Sequence, residues 1–183
     1  MDKFIINKNN AVLLIVDIQD KLAVVMGERH KVTDNCLHLI EAAKLLNIPI
    51  VVTEQYPKGL GLTINKIRAS LPSYEPVEKV TFDCCKGDGF SERIASLRRT
   101  HIILTGMETH ICVLQTCLGL LEKGYFTHVI SDAVCSRKKE DYKTGISMMR
   151  DAGAVITCTE TVLFQLLERA GTPEFREISK RIK

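Results

Sequence analysis

A single three-layer α/β/α domain with a mostly parallel central sheet is the fold class this sequence predicts. Three observations carry it. Short β-branched apolar runs recur, among them "AVLLIV" (11–16), "IPIVVT" (48–53), "HIILTG" (101–106) and "AVITC" (154–158). They are continuous rather than alternating, as suits parallel strands buried on both faces. Segments with helical apolar spacing separate them, joined by short links. No linker or internal repeat divides the 183 residues, a length that one domain with a sizeable core accommodates. The expected domain is 1–183, with 171–183 as its C-terminal extension.

The elements follow in order. "AVLLIVDIQD" (11–20) reads as a buried strand ending at Asp17. Residues 30–46 place Val32, Cys36, Leu39, Ile40, Ala43 and Leu46 at helical spacing, and Asn47 can end that helix. The second strand, 48–53, leads into a turn-rich loop, "EQYPKGLG", and a short helix over 63–70. Residues 76–82 form a weaker strand and loop. A short helix covers 90–97, capped by Ser91 or Asp88. The strong strand 101–106 precedes a helix over 110–123 that Gly124 closes. A strand over 125–133, a helix over about 137–151 and a strand over 154–158 follow. "TCTETVLFQLL" offers a capping box, Thr157 with Glu160, or a cap at Thr159. The tail from Gly171 is a docked or fraying extension.

Bulk composition excludes several classes. Lys plus Arg number 25 and Asp plus Glu 22, a net charge of +3, too weak to imply a nucleic-acid partner. The basic clusters "SRKKEDYK" (136–143) and "REISKRIK" (176–183) are interrupted by acids and read as solvated faces. No apolar run approaches a membrane span, and "MDKFIINKNN" has no signal-peptide core. The seven cysteines (36, 84, 85, 112, 117, 135, 158) show no CxxC pair and no disulfide rhythm. Reduced thiols in a cytoplasmic setting are the expectation, most of them small core fillers.

In a parallel α/β sheet the site lies beyond the carboxyl ends of the strands. That rule selects Asp17, Glu54 with Gln55, Lys79, and the segment from Gly106 to Cys112. Cys112 falls near the start of a helix, where unpaired N–H groups and the dipole favour a thiolate and could hold an oxyanion. Asp17 ends an apolar strand, and an unpaired carboxylate there would be costly. It is a helix cap, a partner for a backbone N–H, or a base for the thiol. Lys79 is either a surface lysine or a cation standing near both. His110 is a rival base, but two residues before Cys112 on a helix puts it about 200° away.

The motifs "LLIVDIQDKL" (13–22), "PIVVTEQYPKGLG" (49–61), "EKVTF" (78–82), "TGMETHICVLQTCLGLLEKGY" (105–125), "SDAVCSR" (131–137) and "TETVLFQLL" (159–167) go further. Together they make the chain resemble the isochorismatase-like cysteine hydrolases, which include nicotinamidases and N-carbamoylsarcosine amidases. The small isochorismatase-domain-containing proteins look most similar. The resemblance covers nearly the whole chain. It implies a catalytic triad of Asp17, Lys79 and Cys112, a non-proline cis peptide joining Met107 to Glu108, and an oxyanion hole from the N–H groups of Glu108 and Cys112. The implied reaction is hydrolysis of a C–N bond in a small molecule through a thioester. Isochorismatases proper act on a vinyl ether and lack the cysteine, so Cys112 argues against isochorismate as substrate. A catalytically weak binding or scaffold protein of the same fold is the alternative.

One departure bears on cofactors. Nicotinamidases carry metal-binding Asp and His in a T-Q-D-W-H pattern after the second strand. Here "TEQYP" (53–57) puts Gln55 and Pro57 at those positions, a poor hard-metal set. No metal and no other cofactor is expected. Glu54, Gln55 and Tyr56 become candidate pocket residues, and Cys84 or Cys85 could stand at the rim. Relatives commonly form dimers or larger rings, which implies a homo-oligomer acting on a small-molecule substrate, with no nucleic acid and no membrane.

Overall fold

Six parallel strands form one sheet in the order β3-β2-β1-β4-β5-β6. They are β1 (Ala11–Val16), β2 (Ile50–Gln55), β3 (Val77–Lys79), β4 (His101–Met107), β5 (Phe126–Cys135) and β6 (Val155–Thr157). Short helices follow β1, as α1 (Asp20–Ala23), and β2, as α3 (Pro57–Leu60) and α4 (Asn65–Arg68). The computed structural model describes residues 2–182; Met1 and Lys183 of the expected 1–183 domain lie outside them. Every strand-to-strand pairing is parallel. The chain builds outward from β1 to β2 and β3, then returns to β4 on the other side of β1. The connections therefore diverge between β1 and β4, and a crevice opens there beyond their carboxyl ends.

Three-layer packing explains why β1 is apolar without alternation. Successive side chains of a strand point to opposite faces. Leu13 and Ile15 join one core cluster, while Val12, Leu14 and Val16 join the other. The first cluster packs against helix α2 (Arg29–Leu45) through Val32, Cys36, Leu39 and Ile40, and against α8 (Thr159–Leu167) through Val162 and Leu163. The second packs against α5 (Phe90–Ser96), α6 (Leu114–Glu122) and α7 (Lys139–Asp151), through Phe90, Cys117, Leu120 and Met149. All six β1 side chains are buried. The five Val, Leu and Ile side chains contribute roughly 1.5–3 kcal/mol each, so this central strand anchors both layers.

Several boundaries differ from the sequence expectation. β2 runs on through Glu54 and Gln55, because β3 pairs with it in register there: Glu54 with Glu78 and Gln55 with Lys79. The expected helix over 63–70 shortens to Asn65–Arg68. Neither Ser91 nor Asp88 caps α5; its N-cap is Gly89, at φ 76°, without a side-chain cap bond. Nor does either threonine cap α8 through its own side chain. Asp132 reaches over from β5 instead, and its Oδ1 accepts from Thr159 N–H and Thr159 Oγ1, each at 2.8 Å. The extension forms helix α9 (Pro173–Arg181), capped by Thr172 Oγ1 accepting from Phe175 N–H. Its Ile178 docks in the first core cluster.

Candidate active site

Asp17 is the first residue past β1. Its backbone is left-handed, at φ 52°, a region that Asp tolerates better than most residues. Its partner strand is pressed close: a Cβ on Gly106, at φ 133°, would lie 2.1 Å from the Val16 carbonyl oxygen. The Asp17 side chain is fully buried. Both carboxylate oxygens are occupied, Oδ1 accepting from Thr53 Oγ1 at 2.7 Å and Oδ2 from Lys79 Nζ at 2.6 Å.

Lys79 ends β3, one strand beyond β2, so its long side chain must cross beneath β2 to reach Asp17. It does so out of solvent, and Nζ also donates to Gln55 Oε1 at 2.8 Å. Burial opposes its positive charge. The neighbouring Asp17 carboxylate outweighs that, and the Lys79 pKa rises, so the ammonium persists.

Cys112 sits on a wide π-helical turn, Thr109–Val113, that precedes α6. The expected helix over 110–123 thus begins irregularly, a form that recurs at functional sites. The Glu108 carbonyl collects N–H bonds from Ile111 at 3.1 Å and Val113 at 3.2 Å, flanking Cys112. The Cys112 thiol is buried, with Asp17 and Lys79 near enough to act on its charge. Burial first, and then the Asp17 carboxylate, push its pKa well up; Lys79 pulls the other way without prevailing. The helix start was expected to favour a thiolate. Desolvation outweighs it here, and the Asp17 carboxylate adds to it, so the resting group is a neutral thiol.

The Met107–Glu108 peptide is cis. The Glu108 carboxylate accepts from Arg137 Nε at 2.9 Å. His110 turns away from Asp17: its Nδ1 is hydrogen-bonded to Ser136 Oγ at 2.9 Å, and its Nε2 faces Asp141 at 3.8 Å. Its poor helical phase thus corresponds to a position in a different cluster.

The three pocket candidates separate. Glu54 is fully buried, and its Oε1 accepts from Thr63 N–H, Thr63 Oγ1 and Tyr74 OH. Gln55 Oε1 accepts from Lys79 Nζ, and its Nε2–H donates to the Val80 carbonyl at 2.9 Å. Only Tyr56 is exposed, lining a cleft of about 450 Å³ together with Lys79 and Val80. A second cleft, about 470 Å³, opens beyond β5 and is lined by Ser136, Arg137 and Tyr142. Cys84 is not at a rim; it is buried, with Sγ 3.8 Å from Thr53 Oγ1. Both polar groups of the Gln55 amide are thus engaged, and among the described residues no group of three or more His, Cys, Asp or Glu could hold a metal. Sequence reasoning missed Thr53 and Arg137. A threonine interrupting the apolar run "IVVT" at a strand's carboxyl end was the available signal for the first.

Residues 11–161 match the family model described as the isochorismatase domain. The chain belongs to the isochorismatase family. The secreted isochorismatase effector Isc1 of Phytophthora sojae is 38% identical over 179 residues, covering 96% of this chain and 85% of that protein. Among solved structures, the MAR1 ribonuclease of Caenorhabditis elegans superposes with a TM-score of 0.90 at 37% identity, over 97% of this chain and 91% of that one. The YcaC gene product of Escherichia coli, described as an octameric hydrolase of unknown specificity, also reaches 0.90 over 97% and 90% of the two chains. At 22% identity it speaks for the fold alone. Membership of this family makes the chain a hydrolase-type enzyme. Among its described residues no helix is long and apolar enough to cross a membrane.

Proposed function

We propose that this isochorismatase-family chain is a metal-independent cysteine hydrolase that cleaves a C–N bond in a small amide, with Asp17, Lys79 and Cys112 as its triad. One observation carries the reading: a single buried carboxylate, Asp17, is bonded to the Lys79 ammonium and stands near enough to the Cys112 thiol to raise its pKa. A thiol held neutral beside a carboxylate is poised to lose its proton as the sulfur attacks.

Asp17 takes the thiol proton, and the Cys112 sulfur pair forms a bond to the carbonyl carbon. The C=O π pair moves to oxygen, where the N–H groups of Glu108 and Cys112 stabilise the charge. As the oxyanion collapses, the C–N bond breaks. Asp17 returns its proton to the departing nitrogen, which leaves as ammonia or an amine. Water then adds to the thioester, giving a proton to Asp17. Collapse breaks the C–S bond, the carboxylic acid leaves, and the thiol is restored. Lys79 stays cationic throughout and holds Asp17 in place.

The cleft of about 450 Å³ that Lys79 helps to line has a volume that suits a small molecule. The test is a panel of small amides assayed for ammonia, with intact-mass detection of an acyl adduct on Cys112. Single-stranded RNA goes in parallel, because the similar Caenorhabditis protein is named a ribonuclease. Amide turnover that persists in Cys112→Ala would refute the reading, as would RNA cleavage without amide cleavage. Ligand binding without turnover would favour the scaffold alternative. The functional form is a homo-oligomer, dimer or larger. Exposed Val24, Val25, Val80 and Phe82 on the loops at the site end of the sheet supply apolar surface for it. Seven unpaired cysteines support a reducing, cytoplasmic setting.

A further inference from the structure

We propose that Thr53 is a positioning residue for the Asp17 base, its hydroxyl proton fixed on Asp17 Oδ1 by a thiol, Cys84, that stands behind it. Thr53 and Gln55 lie two residues apart on β2, so their side chains share a face. They grip the two ends of the buried ion pair. Thr53 Oγ1 donates to Asp17 Oδ1 at 2.7 Å, and Gln55 Oε1 accepts from Lys79 Nζ at 2.8 Å. Gln55 is itself fixed by Gln19, whose Oε1 accepts from Gln55 N–H at 2.8 Å and whose Nε2 donates to the Gln55 carbonyl at 3.0 Å.

A hydroxyl can both donate and accept, and its rotor could turn the proton elsewhere. Here the surroundings decide. The Cys84 thiol donates to Thr53 Oγ1 at 3.8 Å, so the Thr53 proton is left to point at Asp17. Cys84 is anchored in turn, its N–H donating to Thr116 Oγ1 at 3.0 Å. Thr53 and Cys84 are both fully buried, so water cannot replace either bond.

The consequence is chemical. With Thr53 on Oδ1 and Lys79 on Oδ2, the carboxylate cannot rotate, and it presents a fixed lone pair to Cys112. The titratable groups facing Asp17 are Lys79 from β3, Cys84 from the turn after it, and Cys112 from the π turn. Thr53 is the neutral donor among them. Removing it leaves Oδ1 buried without a partner and makes the carboxylate hold a proton more tightly.

Thr53 can act this way only through Asp17, an inference that rests on the function proposed above, so the experiment reads both. Iodoacetamide alkylation is followed at each cysteine separately by peptide mass, from pH 4 to 9, in the wild type, Asp17→Asn, Thr53→Val and Thr53→Ser. If Asp17 is the base, Asp17→Asn slows Cys112 selectively and leaves Cys85 and Cys158 unchanged. If it does not, the base assignment fails and the Thr53 role with it. Given that result, Thr53→Val should move the acid limb of the Cys112 profile up by about one pH unit, since a hydrogen bond to a charged group is worth about that much. Thr53→Ser should restore it. A Thr53→Val profile superimposed on the wild type, in folded protein, or a serine variant that fails to recover the limb, overturns the Thr53 role while leaving Asp17 as the base. Should Thr53→Val not fold, Thr53→Ala removes the same hydroxyl and is read by the same criterion.

Discussion

The Lys79 ammonium lies 2.6 Å from the Asp17 carboxylate, with the two side chains 1% and 0% exposed. A pair so dry is tolerated only while both members are present, since removing one strands a buried charge. Lys79→Met should therefore unfold more easily by about 3–5 kcal/mol and lose activity as well. Urea unfolding followed by circular dichroism measures the first effect. A variant as stable as the wild type would mean that Asp17 finds another partner or takes up a proton.

Division of labour within the triad is tested by Cys112→Ala and Asp17→Asn. Cys112→Ala should abolish covalent turnover, because no sulfur remains to carry the acyl group. Asp17→Asn keeps the shape but removes the proton acceptor, and positioned proton transfer is worth about 10²- to 10⁴-fold. The two losses should not add, because both act on one step. Near wild-type kcat/KM in folded Asp17→Asn would remove Asp17 from the mechanism.

Chelation should leave hydrolysis intact. Gln55 is the residue at the position where metal-using relatives place an Asp, and its amide is held by Lys79 and the Val80 carbonyl. Activity lost to EDTA and recovered with zinc or manganese would contradict this.

Gly106 permits the closeness of β1 and β4 at the crevice. Gly106→Ala would combine a left-handed φ of 133° with a Cβ 2.1 Å from the Val16 carbonyl oxygen, a backbone atom that cannot swing aside. A loss of about 3 kcal/mol or more is expected. Thermal denaturation checks it, and a shift of only a degree or two would show that the strands can part.

Stability should fall on the alkaline side. Burial pushes the thiols of Cys36, Cys84, Cys117 and Cys135 from 9.0 to about 12. Above pH 9 the unfolded chain has released these protons and the native chain has not. Native stability is thus complete below 9 and declines as pH rises towards 12. Lys79, also raised, acts in the same direction above its ordinary 10.5. Urea midpoints under reducing conditions should drop between pH 9 and 10.5; a flat profile would mean the thiols are not buried.

Much of this was legible in the chain itself. The continuous apolar runs gave five of the six strands at the right places, because burial on both faces is a local compositional demand. The sixth, β3, is Val77–Lys79, and its signal is weak because two of its three residues, Glu78 and Lys79, are charged. Helix caps were less legible. Thr157 and Thr159 offered a plausible local cap for α8, but Asp132, far away in sequence, supplies the acceptor. A competition between near and distant partners cannot be judged from the near ones alone.

What the sequence determined by itself was the layer architecture and the identity of Asp17, Lys79 and Cys112 as candidates. Strand periodicity and the carboxyl-end rule act on residues close together in the chain, and the family motifs mark the same positions. The tertiary structure decided how those groups are wired. Lys79 is 62 residues from Asp17 in the chain, and Thr53 is 36 residues away. Only the strand order, with β2 between β1 and β3, brings a threonine, a glutamine and a lysine together around one carboxylate. Burial there set the charge states too: it withdrew water from Cys112 and kept a thiol where the helix start alone would have favoured a thiolate. Desolvation depends on everything packed around a group, and that is fixed by contacts between segments distant in sequence.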